Sequence, residues 1–72
     1  MNPETFNMSI RKFLKSVGVQ SQREIEGAVE KAIATGRLKG AETLPARMTL
    51  TIDGLALSVT IDGRIALEQG EP

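Results

Sequence analysis

Cysteine and histidine are both absent from the 72 residues. The chain therefore has no disulfide framework, no thiolate nucleophile and no imidazole base or ligand. Ser/His/Asp and Cys/His catalysis and the usual zinc sites are excluded with them. Tryptophan and tyrosine are missing too, leaving Phe6 and Phe13 as the aromatics, so platforms for stacking a base and aromatic interface anchors are in short supply. Nine basic and nine acidic side chains cancel, which removes the net attraction on which most nucleic-acid binders rely. No run approaches the roughly 18 apolar residues of a membrane helix. The opening Met1-Asn2-Pro3-Glu4 has no basic stretch leading into an apolar one, and no glycine-rich phosphate loop precedes a helix. These absences lead to the expectation of a cytoplasmic, non-enzymatic protein with no cofactor, no metal and no membrane partner.

What remains has the proportions of a globular chain, 40% apolar and 25% charged, which makes disorder a poor description. A domain this short buries only roughly 60% of its unfolded surface, so its core has to be used efficiently. Asn2 reads as an N-cap, Pro3 as a first helical residue and Glu4 as first-turn acid. Phe6, Ile10, Phe13, Leu14 and Val17 fall on one face of a 3.6-residue period, and Gly18 reads as a left-handed stop. Ser21-Gln22-Arg23-Glu24 matches a capping box. A second apolar face follows in Ile25, Ala28, Val29, Ala32 and Ile33, and Gly36 marks its end. Two helices are expected, at about 3–17 and 22–35, then a loop over 36–46.

Strand alternation follows: Met48, Leu50 and Ile52, then Leu55, Leu57, Val59 and Ile61, interleaved with threonine, serine and alanine. Two Asp-Gly pairs, at 53–54 and 62–63, read as turns. The first predicts a two-residue loop pairing Ile52 with Leu55 and Leu50 with Leu57. The second predicts a three-residue loop over Ile61, Asp62 and Gly63, with Gly63 left-handed in a bulge. Strands are thus expected at about 47–52, 55–60 and 64–68, with a frayed tail at 69–72. The predicted fold is a single α+β domain, ααβββ, with both helices on one face of a three-stranded antiparallel meander. On this reading Gly63→Val damages the second hairpin, because a β-branched residue resists positive φ.

Functional candidates are sparse. The outward sheet residues Thr49, Thr51, Ser58 and Thr60 form a face without lysine or glutamate, a candidate interaction surface for a protein partner or a second copy of the chain. Small polar residues also suit exposed strands by propensity alone. Arg11, Lys12 and Lys15, with Arg37, Lys39 and Arg47, are candidate contacts for an anion or a nucleic-acid backbone. Solvated cations near a helix end are the ordinary alternative. Asp53 and Asp62 belong to turn chemistry, at opposite ends of a middle strand and too far apart for an acid/base pair. Glu24, Glu26 and Glu30 give the second helical segment an acidic side. The leading expectation is a small non-enzymatic interaction domain, with homodimerisation as one form. A weak nucleic-acid or anion-binding accessory protein is the alternative.

Two resemblances accompany these readings. Val29 to Arg47, through Ala32-Ile33, Gly36-Arg37-Leu38 and Leu44-Pro45, resembles the end of the first helix in bacterial winged-helix repressors. There a DNA-reading helix-turn-helix follows the Leu-Pro; here a threonine-rich strand pattern follows, so no DNA contact carries over. Over its whole length the chain resembles a small bacterial family of single-domain proteins of unknown function, sharing the opening Phe6-Asn7-Met8-Ser9-Ile10-Arg11-Lys12-Phe13-Leu14-Lys15 and Gly36-Arg37-Leu38. That resemblance implies a fold unit and no activity.

Overall fold

A computed structural model describes residues 1–68; the tail expected at 69–72 lies outside the described residues. The chain divides into two compact units, the first being Met1–Arg37. Helix α1, Pro3–Ala34, fills most of it. Strands β1, Thr43–Ile52, and β2, Leu57–Ala66, form an antiparallel ribbon in the second. The expected ααβββ order is thus corrected to αββ, with one helix in place of two and two strands in place of three.

The N-terminus of α1 forms as its sequence dictates. Thr5 N–H donates to Asn2 Oδ1 at 3.0 Å, satisfying one of the first-turn donors that have no partner inside the helix. Its end is equally legible. Gly36 adopts φ 81°, Gly36 N–H donates to the Ile33 carbonyl at 3.1 Å and Arg37 N–H to that of Ala32 at 2.8 Å. This is the two-bond Schellman stop, which needs a left-handed residue just past the cap.

Between these ends the helix runs through both expected breaks. Gly18 has no positive φ, and a glycine inside a helix costs only about 1 kcal/mol, less than losing the hydrogen bonds on either side. Gln20 Nε2 donates to Ser16 Oγ at 2.9 Å, linking side chains on either side of Gly18. Ser21, expected as a cap, is an ordinary half-buried helical residue. A second interior glycine, Gly27, has open space where a Cβ would stand. Gly27→Ala is therefore expected to add about 0.5–1 kcal/mol of stability, read as a higher Tm and stronger helical circular dichroism.

The ribbon pairs Thr43 with Ala66 at one end and Ile52 with Leu57 at the other. Its turn is the four residues Asp53 to Ala56, with Gly54 at φ 85° and Leu55 N–H donating to the Ile52 carbonyl at 3.3 Å. The first Asp-Gly is a turn as expected, two residues longer than predicted. The second is not a turn: Asp62 pairs with Arg47 and Gly63 with Ala46 in mid-strand, and Gly63 has no positive φ. The partner of this stretch is Thr43 to Arg47, most of it inside the segment expected as a loop. Leu44 and Pro45 lie in β1, so the repressor resemblance ends there too.

Leu67 N–H donates to the Glu42 carbonyl at 2.9 Å, extending the ladder by one pair. Bonded and non-bonded pairs alternate along an antiparallel ribbon. Counting from Glu42 and Leu67, Pro45 and Arg64 form a non-bonded pair, so the Pro45 nitrogen faces the open edge. Proline is tolerated there because no ladder bond needs its missing N–H.

Candidate functional site

Two apolar faces dominate the described residues, and neither is covered within its own unit. On α1 the stripe begins with Phe6, Ile10, Leu14 and Val17 and continues through Ser21, Ile25, Ala28, Val29, Ala32 and Ile33. No residue of the helix is buried, and Phe6, Phe13 and Leu14 are each more than half exposed.

The ribbon sorts its side chains with the period of a strand. Leu44, Ala46, Met48, Leu50 and Ile52 oppose Ile65, Gly63, Ile61, Val59 and Leu57 in order, and all stand on one face. That face carries no polar side chain. Met48, Ile52, Val59 and Ile61 are between 41% and 58% exposed, where full burial of such a side chain stabilises by about 1.5–3 kcal/mol.

The candidate surface Thr49, Thr51, Ser58 and Thr60 stands on the opposite face, with Thr49 against Thr60 and Thr51 against Ser58. Arg47, Asp62 and Arg64 share it, so it is not the uncharged surface the sequence predicts. Arg47 Nε donates to Asp62 Oδ1 at 3.0 Å in a largely exposed ion pair, a kind of contact worth about 0–1 kcal/mol. Asp62 is thus assigned to a cross-strand pair, while Asp53 stays in the turn.

The six candidate anion contacts divide between the units. Arg11, Lys12 and Lys15 are neighbours on α1 at three- and four-residue spacing. Arg37 closes the helical unit; Lys39 and Arg47 belong to the other. The surface depression lined by Glu4, Thr5, Met8, Ser9, Arg11, Lys12 and Lys15 is an open furrow along a single helix.

One local constellation has no counterpart in the sequence reading. Glu42 collects three backbone donors: Lys39 N–H at 2.8 Å on Oε2, with Gly40 and Ala41 N–H at 2.9 and 3.1 Å on Oε1. The Lys39 amide, then that of Gly40, holds the Glu42 carboxyl below its ordinary value, because donors aimed at an anion favour the charged form. A carboxylate held ionised in this way is a poor proton donor. It organises the entry to β1, and a glutamate two residues after a glycine is too weak a pattern to reveal it. Since the folded value is depressed, the stabilisation is complete above the unfolded glutamate pKa and is lost as pH falls through the folded one. The amide resonances of Lys39, Gly40 and Ala41 should therefore titrate together below the ordinary carboxylate range, and Glu42→Gln should abolish that response.

Among the described residues no group of three or more carboxylates is placed to hold a metal ion, and no helix is long and apolar enough to cross a membrane. Residues 1–68 match the model of a family of unknown function, DUF6494, and the chain belongs to that family. No curated protein and no solved structure matches it.

Proposed function

We propose that this member of a family of unknown function is a non-enzymatic protein-interaction domain that works as a homodimer in the cytoplasm. The observation that carries the reading is that neither unit buries its own apolar face, whether the stripe of α1 or the ten-residue face of the ribbon, Leu44 to Ile52 against Leu57 to Ile65. A two-stranded hairpin is marginally stable at best in water, and gains independent stability from further strands or a helix laid on its apolar side. The helix has the same need, since most helical stability in proteins comes from burying an amphipathic face. Small chains commonly supply the missing core by association. A fold without cysteine draws nothing from an oxidising compartment, which fits the cytoplasm.

The threonine face is the weaker surface for such contact, because burying its Arg47–Asp62 pair costs desolvation that apolar side chains do not. The alternative, anion binding through Arg11, Lys12, Lys15, Arg37, Lys39 and Arg47, has less support: Arg47 is already engaged by Asp62.

Sedimentation equilibrium and thermal melts over about a hundredfold range of protein concentration test the proposal. A dimer mass is expected, with a cooperative melt whose midpoint rises with concentration, as mass action requires of a fold completed by association. A strict monomer with a concentration-independent Tm would overturn it.

A further inference from the structure

We infer that α1 is the pairing element, and that two copies set it antiparallel, the basic first half of each helix along the acidic second half of the other. The inference rests on the interaction reading above and adds which element pairs and in which direction.

The helix stripe mirrors itself at its large side chains, while Val17, Ala28 and Ala32 have polar counterparts at Gln22, Arg11 and Asn7. Phe6, Ile10, Leu14 and Gly18 step inward from the N-terminus four residues at a time; Ile33, Val29, Ile25 and Ser21 step inward from the C-terminus by the same interval. An antiparallel pair centred between Val19 and Gln20 sets Phe6 level with Ile33, Ile10 with Val29, Leu14 with Ile25 and Gly18 with Ser21. Leu14 and Ile25, ~20° apart about the axis, meet across a two-fold in which residue i meets j wherever j meets i, while Phe6 and Ile33, ~180° apart, flank that contact. The wide side chains fall toward the ends and the narrow ones at the centre, where the axes come closest.

Charge selects the same direction. Pro3 to Gly18 carries Arg11, Lys12 and Lys15 against Glu4 alone, whereas Val19 to Ala34 carries Glu24, Glu26 and Glu30 against Arg23 and Lys31. A parallel, in-register pair lays each cluster beside its own copy, within the ~8 Å over which physiological salt leaves charges interacting. The antiparallel pair brings Arg11 and Lys15 level with the stretch holding Glu24 to Glu30, and opposes the two helix dipoles. Each exposed contact is weak, so charge sets orientation and the apolar stripe supplies affinity.

A chain without native cysteine allows a clean test. Leu14→Cys and Ile25→Cys chains are prepared separately, checked for helicity, mixed, allowed to exchange and oxidised. The expected product is the mixed disulfide, because copies of the same cysteine lie ~16 Å apart along antiparallel axes. Self-disulfides of each variant with no mixed product overturn the antiparallel direction. A dimer by mass that forms no disulfide overturns α1 as the pairing element and leaves the interaction reading standing. A monomer by mass removes both. Should either cysteine variant lose its helix, Thr5→Cys leaves the stripe intact. A spin label there is expected to report a pair distance of ~40 Å or more when antiparallel, and one below ~30 Å overturns that direction.

Discussion

Leu50→Ala is expected to destabilise the protein by about 2–5 kcal/mol, a large share of the 5–15 kcal/mol that a native domain possesses. Leu50 pairs with Val59 near the middle of the apolar face and is half-buried. If the face stays in water, the truncation removes a few cross-strand contacts and costs less than about 1 kcal/mol. If a second surface covers it, the same truncation opens a cavity and carries the larger cost. Urea unfolding at fixed protein concentration separates the two, and the smaller value would mean that the face remains uncovered. Thr49→Ala, one position away on the other face, is the control, with a change within about 0.5 kcal/mol expected.

Valine at Gly54 and valine at Gly63 should act with opposite signs. Gly54 holds φ 85° in the turn, a conformation that costs an L side chain about 1–3 kcal/mol and a β-branched one the upper part of that range. Gly54→Val is expected to weaken the hairpin accordingly. Gly63 is extended, pairs with Ala46, and has open space where a Cβ would stand. Gly63→Val replaces a weak strand former with a strong one and adds apolar surface to the face, so a gain of about 0.5–1 kcal/mol is expected. Two denaturation curves decide the matter: if Gly63→Val is as harmful as Gly54→Val, the second Asp-Gly is a turn after all.

At the second Asp-Gly a local motif and the phase of the surrounding apolar residues point to different structures. Asp-Gly is a strong hairpin signal, and the near copies Thr51-Ile52-Asp53-Gly54 and Thr60-Ile61-Asp62-Gly63 invite the same reading twice. The apolar residues Leu57, Val59, Ile61 and Ile65 keep odd numbers across the second pair, and a turn there keeps that phase only with an odd-length loop. A straight strand keeps the phase with no loop. Its partner was hidden because Pro45 and Gly40 made 36–46 look like a connection, although Leu44, Ala46, Met48, Leu50 and Ile52 alternate without a break.

The helix carries the same lesson on a different period. Ile10, Leu14, Val17, Ser21, Ile25 and Ala28 stay in phase through Gly18, and this continuity outweighs one glycine and a capping-box match. The ends of α1 were legible because Asn2-Pro3 and Thr35-Gly36 leave the backbone few alternatives. The half-exposed state of Phe6, Phe13 and Leu14 was not legible, because periodicity shows which side of an element is apolar and is silent on what lies against it. Thr49, Thr51, Ser58 and Thr60 share their face with Arg47, Asp62 and Arg64 because of a register that pairs β1 with β2 alone, which local alternation does not reveal.

Pro45 bears on a hazard that any short ribbon with one greasy side must meet. Both strands are edges, and an edge of free donors and acceptors templates the addition of another copy, strand by strand, into a growing fibril. With its nitrogen turned outward, Pro45 deletes a donor from the open side of β1, and a copy docking there loses a bond and meets a ring. Growth through β1 is capped near its start, so the proline guards that strand against templated addition without a charge on the apolar face.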